Sequence, residues 1–346
     1  MSIFKRTRKA IEDWLQSDLK DYPKDTRIAV FGAASYARFI AETLPKLGYD
    51  NILFTVSYPR FRTLDGLEVM SIWDLEANGV ELVLSGSLSN TEGQRDFIRE
   101  EGGVQLPFLG IANGKTLCVE PREDRCDPAR LASLHNRHEG ERFYVIANGP
   151  SLNETPPEAI ADGIRLAANG IVLREGFCPD YYFMIDQVGI DLWESQVLTL
   201  EAPVILASHI DGLHQREDSL YRFPVCFSVS DEAIDPYEAG VPVGGTVVNA
   251  MMYFAAYMGA SEIVIIGLDN NYHGQQTHFS EAYRPKSFPE LTDDMKDWWA
   301  KRQANGIWAT VGVLQKRGVR VMDATAVDNR LGLERCPFHA LTGRPS

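Results

Sequence analysis

Short runs of almost purely apolar residues, each closing on a small polar cluster, recur through the second half of this chain and leave few folds open to it. Phe143, Tyr144, Val145, Ile146 and Ala147 lead directly into Asn148, Gly149, Pro150 and Ser151. Similar runs follow at 165–169, 181–186, 203–208, 225–228 and 262–267. A strand with one wet face alternates apolar and polar residues, so uninterrupted apolar runs must be covered on both faces. That is the environment of a parallel sheet whose crossovers are helices, and helical periodicity does fill several gaps, notably 246–258. The expected fold is α/β, with two Rossmann-like domains, the C-terminal one a doubly wound, mainly parallel sheet.

The first half repeats the pattern on a smaller scale. Residues 1–24 space Ile3, Phe4, Ile11, Trp14, Leu15 and Leu19 as an amphipathic helix with a basic beginning. Such a helix suits peripheral contact with an anionic membrane surface, but docking on its own domain is the preferred reading. A buried strand at 27–31 then runs into Gly32, Ala33, Ala34 and Ser35, followed by a helical stretch at 36–47 and strands at 48–56 and 80–86. This is a β-α-β unit, assigned to a small domain at 25–112. Its first turn lacks the second glycine of a dinucleotide fingerprint, and Asp50 reads as a turn residue, so NAD binding is disfavoured. The module resembles small Rossmann-like domains that accompany sugar-modifying enzymes, which implies a binding, regulatory or assembly role. Polar, weakly periodic sequence marks 113–140 as a linker, and 141–335 as the main domain. His135 and His138 have no third ligand nearby and read as surface histidines.

With 48 acidic residues against 34 basic, the formal charge is −14. A nonspecific grip on nucleic acid, which needs a basic surface to displace counterions, is excluded as an expectation. No run of roughly 18 apolar residues exists, and no apolar signal core opens the chain, so the expected location is the cytoplasm. Five scattered cysteines suit reduced thiols and outline no metal framework.

In a parallel sheet the carboxyl ends of the strands share one edge, where ligands bind. Four runs end there in small or polar residues: Asn148, Gly149 and Ser151; Asn169 and Gly170; Asp186 and Gln187; and Gly267 through Asp269 to Tyr272. Gly244, Gly245 and Thr246 precede an apolar helix, whose N-terminal N–H groups favour a phosphate; Thr246 is equally an N-cap. The expected nucleotide-binding residues are therefore Asn148, Gly149, Ser151, Asn169, Asp186, Gly245 and Thr246. Beyond Asp269 lies a loop, 270–281, with almost no apolar content and little reason to be ordered by packing. It carries His273, His278 and Glu281. His278 and Asp269 are the expected catalytic residues, His278 because its intrinsic pKa suits base catalysis near neutral pH. For Asp269 the competing reading is a strand-ending Asx turn. Arg284, Lys301 and Arg302 are the nearest cations in sequence, and Trp298 and Trp299 suggest a lid, an acceptor platform or a helix packing face, the packing face being preferred for Trp299 and Trp298 left open.

Taken together, Asn148 to Leu152, Asn169 and Gly170, the Gly244-Gly245-Thr246 helix, and Glu262 to Asp269 resemble the family named for 6-hydroxymethylpterin diphosphokinase, over about 142–330. They are also similar to family 42 bacterial sialyltransferases and to motility accessory factors that modify flagellin. The sialyltransferase resemblance implies a CMP-sugar donor, with Asn148, Gly149, Ser151, Asn169 and Asp186 at donor-binding positions and Gly245 and Thr246 near the phosphate. It departs from that pattern in lacking the tyrosine pair after Asp269 and the later catalytic histidine. The diphosphokinase resemblance implies ATP and Mg²⁺, but the paired-aspartate motif is reduced here to Asp186 beside Gln187. The preferred expectation is a glycosyltransferase with no tightly bound cofactor or metal. It would pass a CMP-linked acidic sugar to a glycan or protein acceptor, in surface glycan or flagellin modification. An ATP-dependent diphosphokinase and a non-catalytic nucleotide-binding protein are the alternatives. A homo-oligomer is compatible with the sequence, which does not set the oligomeric state.

Overall fold

The structure is a computed structural model that describes residues 2–32, 35–56, 59, 62–86, 91–100, 102–111, 123–226, 234–273, 276–283 and 292–342. The chain divides into two compact units, Met1–Arg122 and Glu123–Ser346.

In the first unit, helix α1 (Ile3–Asp18) is capped by the Ser2 hydroxyl, which accepts from the Lys5 amide, and buries Ile3, Phe4, Ile11 and Leu15. Strands β1 (Ile28–Phe31), β2 (Ile52–Val56), β3 (Thr63–Leu64), β4 (Leu67–Ser71), β5 (Leu82–Ser85) and β6 (Phe108–Leu109) form a sheet in the order β3-β4-β2-β1-β5-β6. All pairs are parallel except β3 with β4. Helices α2 (Ser35–Thr43) and α3 (Thr91–Glu100) belong to its crossovers. The degraded fingerprint falls partly on Ala33 and Ala34, outside the described residues.

The second unit opens with a short helix, α4 (Pro128–Ala132), N-capped by Asp127. The amides of Asn136, His138 and Gly140 donate to the carbonyls of Tyr257, Met258 and Gly259, so the described part of the polar stretch at 113–140 is tied to this unit. His138 is half-buried: its Nε2 lies 2.8 Å from the Tyr181 hydroxyl, and burial lowers its pKa.

The main sheet contains β7 (Arg142–Ile146), β8 (Ile164–Ala168), β9 (Tyr181–Met184), β10 (Val204–Ala207) and β11 (Leu220–Phe223). A two-stranded sheet pairs β12 (Val225–Cys226) with β13 (Val241–Pro242), and β14 (Glu262–Ile266), β15 (Arg320–Asp323) and β16 (Glu334–Arg335) complete the main one. Helices α5 (Gln187–Leu198), α6 (Val247–Tyr257) and α7 (Asp293–Lys316) connect them. The order is β11-β10-β9-β8-β7-β14-β15-β16, and every pair is parallel.

From β7 the chain winds outward to β11 on one side, then returns beside β7 with β14 and winds out on the other. The direction of winding reverses between β7 and β14, so the loops leaving these two strands diverge and open a crevice. Phe143, Tyr144, Val145 and Ile146 of β7 and Ile263 to Ile266 of β14 are all fully buried, which is why both runs are apolar without alternation. Helix α6 buries nearly every side chain, as a helix apolar all round must.

Candidate functional site

The loops that diverge at this switch point enclose a recess of about 300 Å³. Asn148 and Gly149 from β7, Asn169 from β8, Asp186 from β9, and Asp269 to Tyr272 from β14 contribute to its lining. Gly245 and Thr246 line it from the start of α6, Thr277, His278 and Tyr283 from the following loop, and Trp299 and Gln303 from α7. Eight of the nine expected site residues are thus brought together. Ser151 is the exception: it is buried outside the lining, and its amide donates to Asp269 Oδ2 at 3.2 Å.

That contact explains the loop's sequence. A Cβ on residue 149 would lie 1.6 Å from Asp269 Oδ2, so only glycine lets the chain pass the carboxylate. Burial raises the pKa of Asp269, opposed by the hydrogen bond from the Ser151 amide. The neighbouring backbone is held from below, with the Leu268 amide donating to Thr325 Oγ1 and the Leu268 carbonyl accepting from Asn329 Nδ2. Asp269 therefore acts first as a strut that fixes the loop after β7 against the loop after β14.

Two of the residues that line the recess carry buried side-chain acceptors with no partner among the described residues. The Asn148 amide nitrogen donates to the Ala168 carbonyl at 3.0 Å, which sets the orientation of the side chain. Its Oδ1 is buried and has no hydrogen-bond partner among the described residues; the same holds for Oδ1 of Asn270. Asn169 and Asn270 also adopt the left-handed backbone conformation, with φ of 54° and 48°. Buried unpartnered acceptors and left-handed non-glycine residues each carry a cost that ordinary folding does not require, and both concentrate at binding sites.

The loop carrying His278 is anchored, against the expectation that packing would do little for it. Phe279 is buried, its amide donates to the Asn148 carbonyl at 3.0 Å, and its carbonyl accepts from Asn153 Nδ2 at 2.9 Å. His278 stacks on Tyr283, with ring centroids 3.8 Å apart and planes at 11°, and its Nδ1 lies 2.9 Å from Thr277 Oγ1. Tyr283 in turn packs edge-on against Trp193, and burial pushes its phenol pKa up. On the far side, the Tyr272 hydroxyl donates to Gln303 Oε1 at 2.8 Å, and Gln303 Nε2 reaches the Gly245 carbonyl at 3.4 Å. His273 lies outside this lining and meets Asp297 of α7 at 2.7 Å.

Thr246 caps α6, its hydroxyl accepting from the Val248 amide at 3.3 Å. No acidic side chain occupies the first turn, so the positive end of that helix dipole is left without an internal counter-charge. Asp186 opens to solvent within the recess, yet the surrounding protein raises its pKa, with His209 pulling the other way. Tyr283, Thr277, Asn270, Trp299 and Gln303 were not among the expected site residues. Tyr283 and Trp299 stand out in sequence as aromatics near the loop, whereas Gln303 has no signal at all.

Residues 126–275 match the family model described as 6-hydroxymethylpterin diphosphokinase MptE-like. Over this segment the chain is similar to the MptE-like family. The matched segment includes the loops after β7, β8, β9 and β14 and the start of α6, which is most of the recess. The family's description names a diphosphokinase, a transferase of kinase type. No curated protein and no solved structure matches the chain.

A diphosphokinase implies Mg²⁺ beneath the transferred group, and the carboxylates of the recess fit that ion poorly. Asp269 is engaged with the Ser151 amide, which leaves Asp186 as the other carboxylate of the described lining. Among the described residues no group of three or more His, Cys, Asp or Glu is arranged to hold a metal ion. No described helix is long and apolar enough to cross a membrane.

Proposed function

We propose that this chain is a nucleotide-dependent transferase of glycosyl type, using a CMP-activated acidic sugar as donor and a glycan or protein hydroxyl as acceptor. The observation that carries this reading is the pairing, in one recess, of an oriented histidine with an uncompensated helix N-terminus, without a second available carboxylate. Glycosyl transfer needs a base for the acceptor hydroxyl and a stabilised leaving phosphate. In the tautomer where Nδ1–H donates to Thr277 Oγ1, His278 presents Nε2 as that base. The helix end at Gly245 and Thr246 receives the phosphate, and the unpartnered acceptors of Asn148 and Asn270 take hydrogen bonds from ribose hydroxyls or a base amine. Acidic sugars and the use in surface glycan or flagellin modification rest on the resemblance to sialyltransferases and motility accessory factors.

The family match favours a second reading, diphosphate transfer from ATP to a pterin-like alcohol, in which Asp186 would be the carboxylate nearest the metal. Thermal-shift measurements with CMP, CDP, ATP and GTP, with and without Mg²⁺, separate the two. Stabilisation by CMP or CDP independent of Mg²⁺ is the expected result. Stabilisation by ATP only with Mg²⁺ would replace glycosyl by diphosphoryl transfer, and silence toward every nucleotide would remove both. For His278→Ala, turnover should fall by roughly 10²- to 10⁴-fold, the typical contribution of a positioned acid–base, while nucleotide affinity stays nearly intact. Unchanged turnover would refute the base assignment.

A further inference from the structure

The described lining of the recess contains two carboxylates and no lysine or arginine. A nucleotide phosphate carries at least one full negative charge, so a site of this composition lacks the counter-charge its ligand needs. The structure places one at the rim. Arg302 is an exposed residue of α7 whose stem lies against Gly245. A Cβ on residue 245 would sit 3.1 Å from Arg302 Cγ, 3.3 Å from Cδ and 3.2 Å from Nε. The absence of a side chain at 245, where φ is 89°, is what lets the arginine come this close to the start of α6.

The guanidinium rests over the rings of Trp298 and Trp299, 5.1 and 5.7 Å from their centroids, and no carboxylate pairs with it among the described residues. An arginine held on aromatic faces keeps its hydrogen-bond donors available, which an ion pair would consume. Its helix neighbours Trp299 and Gln303 already line the recess, and Gln303 reaches the Gly245 carbonyl. A second observation points the same way: Asn148, which lines the recess, keeps a buried Oδ1 with no partner among the described residues.

We infer that Arg302 is the phosphate-binding cation of this site, contacting the phosphate oxygens of a nucleotide seated at Gly245 and Thr246, with Trp298 and Trp299 as its rest. The inference stands on the nucleotide reading above and adds a residue to it. It assigns a role to the aromatic pair as well: the rings steady the guanidinium without consuming its hydrogen-bond donors.

Calorimetric titration of the full chain with cytidine, CMP and CDP tests this, with adenosine and ATP as the parallel set so that base preference does not decide the outcome. For Arg302→Gln, the affinity for the phosphorylated member should fall roughly 10- to 100-fold, the range of a lost charge-assisted hydrogen bond. Affinity for the nucleoside should stay within about twofold, which also reports that the variant is folded. Arg302→Lys should recover part of the loss, and the salt dependence of CMP or ATP binding should weaken in Arg302→Gln. Wild-type binding with equal phosphate affinity in Arg302→Gln would overturn the role of Arg302 and leave the nucleotide reading standing. Absence of nucleotide binding by the wild type would overturn both.

Discussion

Gly149 and Asp269 are separated by 120 positions in the chain and make one feature of the site. The glycine sits where any side chain would strike the carboxylate, and the carboxylate receives the amide two residues further on. Gly149→Ala should therefore act as overpacking at the centre of the site, costing about 1–3 kcal/mol. A melting temperature lowered by roughly 3–10 °C in a thermal scan, together with weakened nucleotide binding, is the expected outcome. A variant as stable as the wild type would show that the loop after β7 moves aside freely. Asn148, Asn169, Asp186, Gly245, Thr246 and His278 were legible as site residues because each ends a predicted strand, precedes a predicted helix or titrates in a polar loop. Ser151 shared that signal but turns inward, because the strut needs its amide. Arg302 was legible only as one of three nearby cations and Gln303 not at all, since a long exposed helix shows nothing in sequence about which of its residues meets another loop.

At the scale of elements, α6 illustrates how one sequence feature serves two ends. Thr246 both caps the helix and lines the recess, so its two roles must be separated by measurement. Thr246→Ala should cost about 0.5–2 kcal/mol of stability from the lost cap. Thr246→Ser keeps an oxygen for the Val248 amide and should restore most of it. If nucleotide affinity follows stability through both variants, the residue is a cap alone; a further loss of CMP or ATP affinity in Thr246→Ala beyond the stability effect marks ligand contact. The run at 225–228 was expected in the main sheet, yet its described part, β12, pairs instead with β13. Pro224 lies between β11 and β12, and a residue without an N–H cannot continue the ladder, so the chain leaves the sheet there. Strands β11, β15 and β16 escaped the sequence reading because they are short and each carries arginine, joined by aspartate in β15 and glutamate in β16.

On the scale of the molecule, the described recess is built within one of the two compact units, and its lining runs from Ala147 to Gln303. The partners given above for the strut, the capped helix and the stacked histidine all lie in the second unit. A fragment of residues 123–346 should accordingly unfold in one cooperative transition by circular dichroism. It should also bind CMP or ATP within a few-fold of the full chain, provided its core is self-sufficient as its fully buried central strands indicate. A fragment that is folded but silent toward nucleotide would mean that the first unit supplies part of the site. The net charge of −14 bears on this scale too, because a strongly acidic molecule gains phosphate affinity only through local donors such as a helix end and a single arginine.

Periodicity and strand-end chemistry were sufficient to announce a parallel α/β sheet, the edge that carries the site and most of the residues on it, since both are local properties that repeat along the chain. Which strands flank the switch point, that Asp269 faces the loop after β7, that Phe279 pins the loop of His278, and that Arg302 passes Gly245 depend on residues far apart in sequence meeting in space. Such meetings are set by how helices pack on the sheet, and no spacing of residues along one strand or one helix encodes them.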